Sequence, residues 1–260
     1  MLEAIGNIKM HYKETGNGEP VVLITGLGGD VSFWKGMTPL LSRRYRVITL
    51  DNRGSGLTEY PNGPFDIEAL ADDIALLLDH LSIPKAHILG WSMGGNVAQD
   101  LALRHPGKVA SLTLVSTYMR RPSRSSYIMN AMVGSVQSGG DLIYLFTVMQ
   151  SLCMTEEAFR EMEDKGICTP WRLNSTLEGF LRQLAAVDGF DSRDRAKGIR
   201  APTMVIHGGA DIMVPPRMGK ELAAEIPGAG FTMIEGGGHT MPPKTYAKAF
   251  LDHIEGHPIS

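Results

Sequence analysis

The chain has 260 residues, 43% of them hydrophobic and 20% charged, a balance that buries a core and excludes a disordered or fibrous protein. A formal net charge of −3 argues against nucleic acid as the main partner and leaves a small molecule as the expected one. The two cysteines, Cys153 and Cys168, form neither a Cys-x-x-Cys pair nor a metal-ligand spacing with histidine. No metal site is therefore expected, and both read as reduced thiols of a cytoplasmic protein, with a single disulfide as the alternative.

In chain order, Met1 to Gly16 lacks a basic start followed by an apolar core, so no signal peptide is expected. Ile8 to Lys13 alternates in character and reads as an edge strand paired with Leu2 to Ile5. Val21-Val22-Leu23-Ile24 is a continuous apolar run, the pattern of a strand covered on both faces. It leads into Thr25-Gly26-Leu27-Gly28-Gly29, a loop able to bend sharply and expose N–H groups. A short helix is expected next, with Phe33, Met37, Leu40 and Leu41 on one side. Arg46 to Leu50 reads as a strand, followed by Asp51-Asn52-Arg53-Gly54-Ser55-Gly56. Asp66 is placed to cap a helix whose apolar face runs from Ile67 to Leu81, with Phe65 and Leu70 spaced as a hydrophobic staple.

Ala86 to Leu89 reads as a short buried strand. Gly90-Trp91-Ser92-Met93-Gly94 follows at once, and Val97, Ala98, Leu101 and Ala102 then begin a helical period that stops at His105-Pro106. Strand, tight turn and helix with serine at the bend is the context that gives Gly-x-Ser-x-Gly meaning as a nucleophile elbow. The serine also sits at a helix N-terminus, where free N–H groups favour developing negative charge. Leu112 to Val115 is another strand.

Alternating strands and amphipathic helices imply a mostly parallel sheet with right-handed crossovers. The alternation breaks after Ser116. Helical patterns occupy Ile128 to Gln137, Asp141 to Leu152, Glu156 to Lys165 and Leu173 to Val187. Residues 118–194 are therefore expected to form a helical cap inserted into a core of residues 1–117 and 195–260, since crossovers of this length usually carry function. Arg120 to Arg124 reads as a solvated linker into the cap. The apolar stretch Leu142 to Met154 is too short to span a membrane. The sheet pattern resumes at Thr203 to Ile206, followed by His207-Gly208-Gly209-Ala210-Asp211. A helix from Arg217 to Ile226, a strand from Gly230 to Ile234, the run Glu235 to His239 and a helix from Tyr246 to Ile254 complete the chain.

Three groups stand in the order Ser92, Asp211, His239, each after an apolar strand, so each should meet the others at the carboxyl edge of the sheet. A serine hydroxyl needs a base to take its proton; His239 fits that role, and Asp211 would hold its tautomer. The backbone N–H groups of Met93 and Leu27 are the expected oxyanion donors. Asp188, Asp191 and Asp194 compete with Asp211 only as residues of the cap exit. His207 reads as structural, and His253 and His257 as parts of a solvated face. Asp51 and Arg53 read as an internal salt bridge or turn clamp. Trp91, Gly28, Trp34 and Trp171 are pocket candidates. Arg120, Arg121, Arg124, Arg172 and Arg182 read as a solvated cap surface, with carboxylate binding as the alternative.

Gly26-Leu27-Gly28-Gly29, Asp51 to Gly56, Gly90 to Gly95, His207 to Asp211 and Gly238-His239 together resemble the α/β-hydrolase superfamily over nearly the whole chain. The resemblance implies a sheet of about eight strands, a lid over the site and no cofactor. Many members have His-Gly where this chain has Thr25-Gly26, a departure that bears on support of the oxyanion loop. Serine at the elbow argues against the haloalkane dehalogenases and epoxide hydrolases, which use aspartate there. The chain looks most like small capped enzymes such as 3-oxoadipate enol-lactonases and aminoacrylate- or carbamate-type hydrolases, with carboxylesterases equally compatible. The implied activity is cleavage of a small ester, lactone or related acyl bond. Carbon–carbon bond hydrolysis, a cofactor-free perhydrolase reaction, or a ligand-binding signalling role with slow turnover are the alternatives. Monomer and homodimer are both open.

Overall fold

The computed structural model describes residues 1–259 apart from 168, 170, 173 and 175. Eight strands form one sheet: β1 (Leu2–Ile5), β2 (Ile8–Thr15), β3 (Glu19–Ile24), β4 (Tyr45–Leu50), β5 (Ala86–Trp91), β6 (Val109–Val115), β7 (Thr203–Gly208) and β8 (Gly230–Ile234). Their order is β1-β2-β4-β3-β5-β6-β7-β8. β1, β2 and β4 pair antiparallel in turn, and every pairing from β4 to β8 is parallel. The edge is thus β1, and β2 lies inside it, one strand further in than the alternation of Ile8 to Lys13 implied.

The helices are α1 (Thr38–Leu41), α2 (Ile67–His80), α3 (Met93–Arg104), α4 (Ser123–Gln137), α5 (Leu142–Cys153), α6 (Glu156–Asp164), α7 (Leu177–Gly189), α8 (Pro216–Glu225) and α9 (Pro243–Glu255). In β3, Val22 and Ile24 face one side with α2, α3 and α8, while Val21 and Leu23 face the other with α1 and α9. Both faces are covered, which is why this strand shows no polar alternation. Asp66 caps α2 by accepting a bond from Ala69 N–H, as its position before the apolar period implied.

Helices α4 to α7 all lie between β6 and β7. They carry a separate apolar cluster built on Met129, Leu145, Phe146, Met149, Phe180 and Leu184. The last of these helices begins at Leu177, later than its apolar period suggested, with Thr176 as its cap. Leu173, the expected start, and Cys168 lie outside the described residues. Cys153 is a free, buried thiol.

Two sequence expectations fail at the sheet surface. The segment after β3 is a 3₁₀ helix, Val31–Gly36, followed by α1, and it leaves Leu40 45% exposed while burying Trp34. His253 is also buried rather than solvated: it lies on the inner face of α9 with its Nε2 3.2 Å from Pro202 O, and the His257 Nδ1 is 2.8 Å from His253 O. On β5, His87 is fully enclosed, with Nδ1 2.8 Å from Ser111 Oγ and Nε2 3.2 Å from Glu19 Oε2. Burial holds both His87 and His253 below the ordinary imidazole value; Glu19 opposes the shift at His87, and His257 adds to it at both. Such groups take up protons more readily in the unfolded chain, so their contribution is complete above about pH 6.5 and is lost as pH falls below it. Thermal unfolding is expected at lower temperature at about pH 5.5 than at about pH 7.5, with a smaller difference in His253→Gln, which keeps a donor for Pro202 but does not titrate. An equal or larger difference in that variant would count against this account.

Candidate active site

β5 ends in a turn that bends the chain directly into α3. Ser92 occupies the bend at φ 54°, ψ −119°, a conformation that costs an L-residue free energy and persists only where neighbours enforce it. The enforcement is visible. Ser92 N–H donates to Val115 O at 2.9 Å, and the Ser92 carbonyl accepts from Thr117 Oγ1 and Gly95 N–H, each at 2.8 Å. The two glycines of the motif permit the approach: a Cβ on Gly90 would stand 2.2 Å from Gly94 O, and one on Gly94 2.2 Å from Ile24 O.

Ser92 Oγ lies 3.0 Å from His239 Nε2, and His239 Nδ1 lies 2.8 Å from Asp211 Oδ2. Ser92 follows β5, Asp211 follows β7 and His239 follows β8, so three parallel strands deliver them to one edge. Asp211 and His239 are buried, and Ser92 is partly open. Burial pushes the Asp211 carboxyl up, but His239 facing it, together with hydrogen bonds from His207, His239 and Val214 N–H, outweighs this and holds it at about 2. An ionised Asp211 accepts only, so His239 carries its proton on Nδ1 and presents a bare Nε2 to the serine hydroxyl.

The carboxylate is surrounded by donors. Oδ1 accepts from Met213 N–H at 2.9 Å and Val214 N–H at 2.8 Å. Oδ2 also lies 3.3 Å from Nε2 of His207, which is 2.9 Å from Val214 O. Both of those partners are acceptors, so this ring is protonated on Nε2. His207 is buried, as its place at the end of a strand implied; its contact with Asp211 was not legible there.

A cavity of about 250 Å³ opens beside Ser92. Its apolar wall includes Phe33, Trp91, Met129, Phe146, Met149 and Met213. Of the expected pocket residues, Gly28, Trp91 and Trp171 line it, and Leu27 and Met93 border it. Trp91 also stacks on Phe33, with ring centroids 4.4 Å apart, and its indole N–H donates to His239 O at 3.0 Å. Trp34 does not line the cavity. It is 1% exposed in the core beneath α9, and Phe33 takes the cavity side because adjacent residues of a 3₁₀ helix point about 120° apart.

Arg121 also departs from expectation. Arg121 is not solvated: its side chain is 7% exposed, it lines the cavity, and it pairs with Asp188. Arg172 is exposed, as expected, and with Asn174 it also borders the cavity. Asp51 and Arg53 do not pair with each other. Asp51 binds His11 Nδ1 and the N–H groups of Val31 and Leu57, and Arg53 forms a two-pronged bridge to Asp73.

The loop after β3 is pinned at several points. Thr25 Oγ1 donates to Gly29 O at 3.2 Å, and Asn52 Nδ2 donates to Thr25 O at 3.2 Å. Gly28 N–H donates to Gln183 Oε1 at 2.8 Å and Gly29 N–H to Gly26 O at 3.1 Å. Gln183 carried no signal in the sequence, where it reads as one polar residue of an amphipathic helix. Among the described residues, no three His, Cys, Asp or Glu side chains gather as a metal-ligand set, and no helix is long and apolar enough to cross a membrane.

Comparison with known proteins agrees with this fold. The family model described as alpha/beta hydrolase fold matches residues 19–242. RutD of Azorhizobium caulinodans, provisionally named a carbamate hydrolase, is 29% identical over 250 residues, covering 92% of this chain and 91% of its own. The enol-lactonase from Burkholderia xenovorans LB400 superposes with a TM-score of 0.85 at 28% identity, covering 99% of each chain. A thermophilic esterase from Thermogutta terrifontis superposes with a TM-score of 0.82 at 29% identity, covering 98% of this chain and 95% of its own.

Proposed function

The chain is a hydrolase belonging to the alpha/beta hydrolase fold family, and we propose that it cleaves a small carboxylic ester or lactone through an acyl-enzyme on Ser92. The observation that carries this reading is the unbroken path from Ser92 Oγ to His239 to Asp211, at 3.0 and 2.8 Å, opening onto an apolar cavity.

In this mechanism Ser92 Oγ attacks the substrate carbonyl carbon as His239 Nε2 takes the hydroxyl proton. The imidazolium faces the Asp211 carboxylate, which stabilises it without accepting its proton. The carbonyl oxygen becomes an oxyanion held by the N–H of Met93, the first of α3 and so without an acceptor within the helix, and by that of Leu27. His239 then returns the proton to the leaving oxygen, and the carbon–oxygen bond breaks. Water enters, gives its proton to His239 and attacks the acyl carbon; the acid leaves as Ser92 regains its proton. Helices α4 to α7 act as a cap, supplying the wall that excludes bulk water.

A carbamate and an enol-lactone, the groups named for the relatives, both present an acyl carbon to such a serine. The cavity lies just below the usual range for small-molecule sites, which favours a short acyl group. Hydrolysis of p-nitrophenyl acetate, butyrate, octanoate and dodecanoate is therefore expected to peak at acetate or butyrate and to fall by about tenfold or more at dodecanoate. An optimum at dodecanoate would reject the short-acyl reading. Absence of turnover on all four and on simple lactones, in folded protein, would reject the ester and lactone reading and favour a slow ligand-binding role.

A further inference from the structure

The oxyanion loop is held from a direction that the family motifs do not include. Gln183 on α7 is fully buried, and its carboxamide spans two backbone groups. Its Oε1 accepts from Gly28 N–H at 2.8 Å, and its Nε2 donates to Arg53 O at 2.6 Å. A carboxamide supplies one acceptor and one donor to such a pair while remaining neutral.

The helix that carries it is seated backbone to backbone. A Cβ on Gly179 would stand 2.4 Å from Gly54 O, and one on Gly54, at φ +81°, would stand 2.7 Å from Gly179 O. The amide therefore has little freedom to follow the loop if the loop moves. A second tie joins the same two parts of the molecule: Asn174 Nδ2 donates to Asp30 Oδ2 at 2.9 Å.

The loop needs such restraint. Gly28 sits at φ +70°, and glycines flank Leu27 on both sides, so the peptide units around Leu27 rotate at low cost. The fastenings through Thr25 and Asn52 hold the ends of this stretch, and Gly29 N–H holds Gly26 O, the carbonyl of the peptide that carries the Leu27 N–H. Among the described residues, Gln183 is the side chain that holds the peptide between Leu27 and Gly28, through its N–H.

We propose that Gln183 is a positioning residue for the oxyanion hole: by fixing the Leu27–Gly28 peptide, inside the turn that Gly29 N–H closes on Gly26 O, it restricts rotation about Leu27, keeps the adjoining Gly26–Leu27 peptide aimed with its N–H at the substrate oxygen, and makes that aim depend on the seating of α7. This rests on the serine-hydrolase reading above. It differs from simple satisfaction of buried polar groups, which would change stability and leave transition-state binding intact.

The test compares full-length Gln183→Leu and Gln183→Glu with the wild type. Glu is of the same shape and is expected to fold; it keeps an acceptor for Gly28 but loses the donor to Arg53. For each protein, kcat and KM on p-nitrophenyl butyrate are measured beside inhibition by a butyl trifluoromethyl ketone, whose hemiketal oxyanion occupies the hole, and by butyrate. The Leu variant is expected to lose on the order of 10- to 100-fold in kcat, since small misplacements of reacting groups have effects of that size. Ketone affinity is expected to fall by the same factor, with KM and butyrate inhibition within about twofold of wild type and Glu between the two. Loss of kcat with unchanged ketone affinity, or kcat within about twofold of wild type in the folded variants, would overturn the inference. An inactive wild type would instead overturn the hydrolase reading and this inference with it. An active wild type, silenced by Ser92→Ala, with unaffected Gln183 variants overturns this inference alone.

Discussion

Ser92→Ala is expected to lower kcat on p-nitrophenyl butyrate by about 10⁶-fold while leaving the protein folded. Among the described residues, the side-chain hydroxyl has His239 Nε2 as its hydrogen-bond partner. The strained turn is held through the backbone of Ser92, by Val115, Thr117 and Gly95, and these bonds survive the substitution. Alanine retains the Cβ, so the backbone cost at φ 54° is unchanged. Stability is therefore expected to move by no more than about 1 kcal/mol, the usual worth of one hydrogen bond. Steady-state turnover, thermal unfolding and labelling by a phosphonate ester should separate together: no turnover, near-native melting, no covalent adduct. A variant that keeps a tenth of the wild-type kcat would remove Ser92 from the reaction.

The second large effect is expected at Asp211→Asn, about 10⁴-fold in kcat. The carboxylate oxygens are approached by four donors: Met213 N–H and Val214 N–H at Oδ1, His239 Nδ1 and His207 Nε2 at Oδ2. Asparagine has one oxygen. Turned toward the loop, its NH₂ group meets His239 and His207, and His239 must adopt the other tautomer, with Nε2–H aimed at Ser92. Turned the other way, the NH₂ opposes two backbone N–H groups. The first arrangement removes the base, and the second strands buried donors at about 1–3 kcal/mol each. Either way the substitution should lower both kcat and the melting temperature, unlike Ser92→Ala. Since Asp211 is held at about 2, the wild-type acid limb should not report its protonation. An Asn variant with wild-type kcat would contradict the role given to Asp211.

The parts of the molecule that sequence conveys are those whose signal is local. β5, the Gly90–Gly94 turn and α3 are consecutive in the chain, and the tight backbone approach leaves glycine at fixed places. The parallel order followed because strands and helices alternate, and the three site residues each follow a strand end. Trp34 and Phe33 exchanged roles because a 3₁₀ turn has no extended period to read. Arg121 and His253 were assigned to water by residue type, yet each meets a partner distant in the chain: Asp188 for one, the carbonyl of Pro202 just before β7 for the other. Gln183 is the extreme case. Its partners lie 155 and 130 residues away, and nothing near it in the chain distinguishes it from a solvated glutamine.

The spacing of the site along the chain has a consequence for how the protein is made. Ser92 and His239 are 147 residues apart, and the four-helix insertion and β7 are translated between them. At about 5–20 residues per second a ribosome needs roughly seven to thirty seconds to cover that distance. Through that interval a nascent chain carries the serine on its strand without the base that activates it. The imidazole arrives only after β8, an outer strand of the sheet, has emerged and paired with β7. Release of a truncated product would thus yield an inert elbow, and reactivity would mark completion of the sheet.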